Sequence, residues 1–476
     1  GRLLLAERNL FFSVHRLSET GYLPPCALPE VWESRPDVFR ATLGAEEEPN
    51  ATFEACARCV LARPCAFRDR DAVAEERRAA LRPVRDLTLP WVRRRAAHLP
   101  VPAAIVRRRD ARDVVCTSPW TTMEVVDPDG RVRQCCSTWT RGARGNVFEG
   151  SLLSIWNGEG YRAARRLIAD GPLDDLCLPI CSRLHDRKFD ERAFTIQRGS
   201  RPFVDNQLLM AEEIAERREV LRSKPLRLAL CPSTYCNYDC IMCDHGRSPR
   251  RELPDHVWDE LPELLPTLQT LTFLGGEPLA QQRVVKFLGE LDAADAPDLS
   301  IDFVTNGSLL TPKVSARLAR APLGDVTISL NAGTPEVYER VQRGIALSQV
   351  HEHIDALVEL RRTHVRWFGI TLSFVVQPAS SATLVAFAEF AHRRNLRIRL
   401  MALNPEQHVG LDFYGDPEVV AQVVRDVDAL SAWSERVRPE WLPEIRAARM
   451  AVLGEAAARA GGAPPSVNQR RLPVVS

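Results

Sequence analysis

Residues 236–243 read CNYDCIMC, a stretch that places three cysteines within eight residues. Three residues separate Cys236 from Cys240, and two separate Cys240 from Cys243. This spacing is too short for a pair of unstrained disulfides, and three thiolates are one ligand short of a closed tetrahedral zinc site. The pattern therefore predicts a metal centre with one open position.

The composition of the whole chain is that of a globular protein. It has 476 residues, of which 45% are hydrophobic and 26% charged, so we expect two or three domains. The net charge of +1 provides no field that would gather nucleic acid or an anionic membrane, and we expect neither as a partner. We find no signal peptide and no apolar run of about 18 residues, which predicts a cytoplasmic location. The helix-like start at Gly1 suggests a piece of a longer protein.

The cysteines fall into three groups, which indicates metal sites. The chain has 13 cysteines and no secretory signal, and a reducing compartment keeps such thiols available for metals or catalysis. The groups are Cys26, Cys56, Cys59 and Cys65; then Cys116, Cys135, Cys136, Cys177 and Cys181; then Cys231, Cys236, Cys240 and Cys243.

Six short apolar runs in the second half of the chain predict the fold. They occupy residues 226–231, 268–278, 299–307, 324–333, 367–376 and 396–406, and stretches of helical periodicity separate them. Strands that alternate with helices form a parallel sheet, here a barrel or part of one, with its chemistry at the C-terminal ends of the strands. The cysteine loop follows the first of these runs.

Three motifs at the ends of predicted strands resemble those of radical SAM enzymes. They are CxxxCxxC after the first strand, GGEP (275–278) after the second, and SLN (329–331) at the end of the fourth. The resemblance covers residues 224–406 and implies an α/β fold, a partial (β/α)6 TIM-like barrel, with an N-terminal cysteine-rich α+β auxiliary region. The alternative for the cysteines, a zinc site with a distant fourth ligand, leaves GGEP and SLN unexplained.

The resemblance also implies the cofactors and their ligands. Cys236, Cys240 and Cys243 would bind three irons of a 4Fe-4S cluster, while S-adenosylmethionine would chelate the fourth and yield a 5'-deoxyadenosyl radical. Glu277 would accept a hydrogen bond from the cofactor's ammonium group. The expected cofactor-binding residues are Met242, Gly275, Gly276, Glu277, Pro278, Thr305, Asn306, Ser329 and Asn331. Cys231 lies outside the triplet, and we interpret it as a buried structural thiol, with a role in binding a cluster or the substrate as the alternative.

Residues 116–181 resemble the auxiliary-cluster module called SPASM or, in its shorter form, twitch. A hairpin with Asp-Gly at its turn lies between Cys116 and the Cys135-Cys136 pair. The resemblance implies a second 4Fe-4S cluster on Cys116, Cys135, Cys177 and Cys181, with Cys136 as the alternative second ligand and a structural zinc as the alternative metal. Because this module precedes the barrel, whereas it follows in most relatives, it could also serve a barrel upstream of Gly1.

The remaining expectations concern the first cysteine group and the domain limits. Cys26, Cys56, Cys59 and Cys65 could bind a further cluster or a zinc ion. We expect a helical tail-like segment at 1–100, an auxiliary domain at 110–190, the core at 224–406, and C-terminal helices with a disordered tail at 407–476.

The function implied is hydrogen abstraction from a substrate, with a peptide or protein side chain favoured. Radical oxidation or rearrangement of a carbohydrate or other small metabolite is the alternative, and a catalytically silent iron-sulfur or zinc scaffold is the alternative from another class. A methyltransferase ranks last. An enzyme of this kind would need a reducing partner such as flavodoxin or ferredoxin.

Overall fold

The protein is built around a seven-stranded sheet. The computed structural model describes residues 116–126, 129–135, 140–178, 181, 196–197, 199–243, 245, 249–404 and 411–460. The first cysteine group, the whole 1–100 segment, Cys136 and residues 461–476 lie outside the described residues, so the predictions made for them stay predictions.

The sheet is parallel throughout, and its strands follow the order β1-β4-β5-β6-β7-β8-β9. A separate antiparallel pair is formed by β2 and β3. The six predicted core strands are confirmed as β4 to β9. In β4 and β5 alternate side chains are buried, and the longer strands β7 and β8 are buried along most of their length. The strands are β1 (Thr122–Val125), β2 (Arg131–Val132), β3 (Gly145–Asn146), β4 (Arg227–Leu230), β5 (Thr270–Phe273), β6 (Ser300–Thr305), β7 (Leu323–Ser329), β8 (Gly369–Val376) and β9 (Arg397–Ala402).

Helices connect successive strands of the core, as the α/β interpretation predicts. Several begin with a proline in their first turn, where the missing N–H costs no hydrogen bond, and Thr311 caps α7 by accepting from the Val314 amide. The helices are α1 (Ser118–Thr121), α2 (Leu152–Trp156), α3 (Glu159–Asp170), α4 (Arg201–Ala215), α5 (Asp255–Leu264), α6 (Gln282–Glu290), α7 (Pro312–Leu318), α8 (Pro335–Val341), α9 (Leu347–Thr363), α10 (Leu384–Arg393), α11 (Pro417–Val437) and α12 (Leu442–Arg459).

The pairing of β1 with the core sheet is the feature that the sequence did not predict. The predicted hairpin is present, because Glu124 and Arg133 exchange both backbone hydrogen bonds at 2.9 and 2.8 Å, and Gly130 adopts a φ of +76° at the turn. The first arm of this hairpin also pairs in parallel with β4, with Thr122 opposite Arg227 and Val125 opposite Leu230. The cysteine-rich region thus extends the core sheet at one edge.

A buried arginine ties the region that follows β1 to the rest of the fold. The Arg165 guanidinium donates to the carbonyl oxygens of Pro119 at 3.0 Å, Trp156 at 2.8 Å and Glu219 at 2.5 Å. Burial lowers the pKa of Arg165 to about 10. Because its donors all have protein acceptors, the cation can cross-link α1, α2 and the segment after α4 without a carboxylate partner.

Helix α12 covers the opposite edge of the sheet. Glu444 accepts a hydrogen bond at 2.8 Å from the backbone N–H of Leu400 in β9, while Ile445, Ala448 and Val452 are buried. The helix therefore satisfies and shields an edge strand that would otherwise pair with another chain. Within the described ranges, every helix is too short or too polar to cross a membrane.

Candidate metal centres

The loop between β4 and α5 brings the three cysteines of the triplet together. Burial, followed by the neighbouring thiols of Cys236 and Cys243, raises the pKa of Cys240 to about 12. Burial likewise raises the pKa of Cys236 to about 11, with further contributions from Glu277 and Cys243. Three thiols whose charged forms repel one another are a donor set that a cationic metal centre would stabilise as thiolates.

The loop is anchored against the end of α8. Tyr238 is buried, its hydroxyl lies 3.1 Å from the hydroxyl of Tyr338, and the Ile241 amide donates to the Val341 carbonyl oxygen at 2.9 Å. A side chain at Gly344 would collide with the Tyr238 ring. These contacts fix the backbone between the cysteines, and sequence reasoning missed Tyr238.

Glu277 lies in the loop after β5, with a side chain that is only 1% exposed. One carboxylate oxygen accepts from the Leu279 amide at 3.0 Å and the Thr305 hydroxyl at 2.8 Å, and the other accepts from the Asn306 amide at 2.7 Å. Burial raises the pKa of Glu277 to about 7, against the lowering effect of these donors. The carboxylate therefore joins the end of β5 to the end of β6, and its expected contact with an ammonium group stays a prediction.

A chain of side-chain hydrogen bonds joins the loop after β6 to the cysteine loop. The Asn306 side-chain nitrogen lies 2.9 Å from the Asn237 side-chain oxygen and 3.9 Å from the Cys236 sulfur. Asn237 donates in turn to Ser308 at 2.9 Å, and the Ser308 amide donates back to Asn306 at 2.9 Å. Asn237 and Ser308 were missed, although the TNGS sequence is typical of a turn in which Asn bonds the backbone two residues on.

The glycines of the GGEP loop permit a close approach between loops. Gly275 has a φ of +112°, and an added Cβ would collide with the Cys231 sulfur. A Cβ at Gly276 would collide with the Tyr235 carbonyl oxygen. Cys231 is 5% exposed, and its thiol lies 3.5 Å from the Ser233 carbonyl oxygen, as a structural thiol would.

The ends of β7 and β8 hold the other predicted cofactor residues. The Asn331 side-chain oxygen accepts from the Val375 amide at 2.8 Å, and the hydroxyls of Ser329 and Ser373 lie 3.5 Å apart. Gln342, which no sequence signal marked, donates to the Ser329 carbonyl oxygen at 3.0 Å and accepts from the Asn331 amide at 2.7 Å. Met242 and Pro278 are both buried.

Four cysteines of the second group lie close together in the region before β4. The pKa of Cys177 is raised by a hydrogen bond with Cys181, by burial, and by the nearby thiols of Cys116 and Cys135. These residues come from four separate places: before α1, after β2, after the 3-10 turn at Leu173–Asp175, and four residues further on. The eight cysteines in the described ranges form no disulfide.

Polar contacts hold these four segments together. Thr140 forms an antiparallel bridge with Cys177, and its hydroxyl lies 2.6 Å from the Gln134 amide nitrogen and 3.2 Å from the Leu176 carbonyl oxygen. The buried Tyr161 donates to the carbonyl oxygens of both hairpin arms.

Among the described residues, no three Cys, His, Asp or Glu side chains form a group that the geometry of a single metal ion would fit.

Two family models match these two regions. The model of an iron-sulfur cluster-binding domain, SPASM, matches residues 116–182, and the model of the radical SAM superfamily matches residues 230–376. The chain contains a SPASM domain followed by a radical SAM domain. The predicted order, with the auxiliary domain ahead of the core, is confirmed.

The cofactor predictions follow these domains. A radical SAM domain implies a 4Fe-4S cluster and S-adenosylmethionine, and a SPASM domain implies an auxiliary iron-sulfur cluster. The donor sets fit both, since the radical SAM domain groups three thiols and the SPASM domain groups four.

Relatives with curated names match part of the chain. Mycofactocin maturase MftC of Mycobacterium tuberculosis (strain CDC 1551 / Oshkosh) is 30% identical over 232 residues, which are 48% of this chain and 56% of that protein. GTP 3',8-cyclase of Petrotoga mobilis is 28% identical over 178 residues, 36% of this chain and 53% of that protein. The chain thus spans about half the length of these relatives.

Solved structures are similar over a comparable share. SuiB of Streptococcus suis bound to S-adenosylmethionine is 15% identical, with a TM-score of 0.39 over 49% of this chain and 53% of that one. The structure of SuiB bound to its precursor peptide SuiA gives a TM-score of 0.38 at 15% identity, over 48% of this chain and 51% of that one.

Proposed function

We propose that this chain is an enzyme that reductively cleaves S-adenosylmethionine and abstracts a hydrogen atom from a substrate. One observation carries the proposal: the loops after β4, β5 and β6 meet, with Asn306 bonded to Glu277 on one side and to the cysteine loop on the other. When bound, the cluster and S-adenosylmethionine would supply a 5'-deoxyadenosyl radical.

The residues of the core loops would have distinct roles. Cys236, Cys240 and Cys243 would hold the core cluster through their thiolates. Gly275 and Gly276 would let the backbone approach the methionine moiety of the cofactor, since a glycine has no side chain to stand between them.

Glu277 would serve both the fold and the cofactor. Among the described residues, one of its oxygens accepts a single hydrogen bond, so a lone pair remains for an ammonium group. Thr305 and Asn306 would keep the carboxylate in place. Ser329 and Asn331 would lie near the ribose, with Ser329 better suited because the Asn331 side-chain oxygen already bonds Val375.

Cys116, Cys135, Cys177 and Cys181 would hold the auxiliary 4Fe-4S cluster. Strand β1 supports a role with this radical SAM domain, because it lies in the same sheet as β4, whose end carries the cysteine triplet. The cluster would take up an electron from the substrate radical or bind the substrate.

The substrate would be a peptide or protein side chain, and the reductant a small electron carrier such as flavodoxin or ferredoxin. The relative named a maturase favours this substrate class over a carbohydrate or another small metabolite.

Reductive cleavage tests the proposal against the alternative of a silent scaffold. The protein is reconstituted anaerobically with iron and sulfide, reduced with dithionite and incubated with S-adenosylmethionine, and 5'-deoxyadenosine is measured. The proposal requires 5'-deoxyadenosine to form. A fully loaded protein that produces none would be a scaffold.

A further inference from the structure

The inner face of the sheet carries two layers of side chains, most of them polar. Strand register places paired residues on one face, and the opposite face, with Ile370, Leu372 and Leu400, packs against the helices. We define the lower layer as Asp302, Asp325, Thr371 and Arg397, and the upper layer as Ser329, Ser373, Val375, Arg399 and Met401. The upper layer is nearer the C-terminal ends of the strands.

The lower layer pairs its one cation with a carboxylate. Arg397 donates to the Asp325 carboxylate at 2.6 Å, and the Thr371 hydroxyl donates to the same carboxylate at 3.0 Å. The Asp325 amide donates to the Asp302 carboxylate at 2.7 Å. This layer therefore has a carboxylate for its cation and needs no ligand.

The upper layer has a cation without a carboxylate on the same face. Among the described residues, Arg399 has no ion pair within 4.0 Å, and it acts on the Glu444 carboxylate of α12 only through longer-range electrostatics. Glu444 lies at the edge of the sheet, where its carboxylate accepts from the Leu400 amide at 2.8 Å. The inner-face guanidinium thus keeps its five donors for a ligand.

An orphaned donor lies one step beyond this layer. Gln377 follows β8, and the alternation of Ser373 and Val375 continues onto it. Its side chain is 1% exposed, and within the described part of the chain its amide nitrogen has no hydrogen-bond partner. Because an unsatisfied buried donor is unfavourable, such a group indicates an acceptor that binds there.

Apolar surface completes the site. Met401, opposite Val375, is a large hydrophobic side chain with 37% of its surface exposed. Methionine adapts to irregular apolar ligands. The ligand that fits therefore combines an acceptor-rich anionic group with an apolar body.

We propose that the upper layer is the substrate-recognition site and that it binds a substrate carboxylate through Arg399 and Gln377, with Val375 and Met401 against an apolar group. This inference rests on the proposed function, because it names the substrate class of that site. Arginine suits a carboxylate better than lysine, since its planar fork donates two parallel hydrogen bonds. The site adjoins Ser329, so the bound substrate would lie beside the proposed ribose contact.

Binding of a model carboxylate tests this inference without turnover. The probe is N-acetyl-leucine, with its carboxamide as the neutral match, titrated calorimetrically into the cluster-loaded protein saturated with S-adenosylmethionine. We expect the acid to bind at least about tenfold more tightly than the amide, a difference of about 1.4 kcal/mol. Arg399→Gln should remove this preference, and Arg399→Lys should restore part of it. Arg397→Gln is the matched control on the same strand and face, and it should keep the preference.

Two results would overturn the inference. One is equal binding of acid and amide to the wild-type protein, or a preference that survives Arg399→Gln. The other is binding of the acid only when S-adenosylmethionine is left out, together with weaker S-adenosylmethionine binding in Arg399→Gln, which would assign Arg399 to the cofactor's own carboxylate. A protein that prefers the acid but forms no 5'-deoxyadenosine would refute the proposed function and leave this inference standing.

Discussion

The two cysteine sites are built in opposite ways. The core triplet comes from one eight-residue loop, which three neighbouring segments hold from outside: α8, the GGEP loop and the TNGS loop. The auxiliary set comes from four segments that span residues 116–181, and its own hairpin and turns hold it together. A local loop fixes its ligand spacing through the chain, whereas a dispersed set depends on tertiary contacts.

The two cysteine sites therefore depend on different contacts. The core loop depends on the barrel, because Glu277 and Asn306 link it to two strand ends. The auxiliary set depends on the SPASM hairpin, because Tyr161 bonds to both of its arms, and Thr140, which follows the second arm, forms a bridge with Cys177. Damage to one site should therefore leave the other able to bind its metal.

The largest effect is expected in the core triplet. Replacing Cys236, Cys240 or Cys243 singly with Ala should abolish 5'-deoxyadenosine formation, because the cluster would lose one of only three protein ligands. The matched control is Cys231→Ser, which changes a buried thiol of the same region and should keep cleavage. Retained cleavage in any of the three Ala variants would remove that cysteine from the ligand set.

The next effect separates the two sites. Changing Cys177 and Cys181 together to Ala should spare uncoupled cleavage of S-adenosylmethionine, since that step needs only the core cluster. The same variant should form no product from a substrate that the wild-type protein converts. Product formation at the wild-type rate would show that the auxiliary cysteines have no part in turnover.

A smaller effect is expected where the core loops are joined. Glu277→Gln should lower the free energy of unfolding by about 1 to 3 kcal/mol, because one of the three N–H or O–H donors would face an amide NH2. Urea titration measures this change. The control Glu290→Gln, at an exposed helix end, should stay within about 0.5 kcal/mol of wild type. Equal stability of the two variants would mean that Glu277 is not a structural link.

The smallest effect concerns the anchor of the cysteine loop. Tyr338→Phe should cost about 0.5 to 1.5 kcal/mol of stability, the usual net value of one buried hydrogen bond. Tyr238→Phe removes the same bond from the other side, together with the 3.3 Å bond that this hydroxyl accepts from the Ile345 amide. The double variant should cost less than the sum of the two single changes, and full additivity would mean that the two hydroxyls do not interact.

The sequence predicted the features that depend on local patterns. The core strands were visible because buried strands are continuous apolar runs, and the cysteine loop because its ligands lie close together in the chain. The parallel pairing of β1 with β4 could not be predicted, since the sequence of Thr122–Val125 indicates a hairpin arm and does not show which strand pairs with its other edge. The roles of Gln342 and Asn237 also depend on loops that meet only in the folded chain.

Metal content tests the central claim most directly. The claim is that the four auxiliary cysteines bind an iron-sulfur cluster independently of the core triplet. Iron, zinc and sulfide are measured in the triple variant Cys236→Ala/Cys240→Ala/Cys243→Ala and in the same protein with Cys177→Ala and Cys181→Ala added. We expect the second protein to contain about four fewer irons per chain, which is one 4Fe-4S cluster, with the matching loss of sulfide. Loss of zinc with unchanged iron would contradict it.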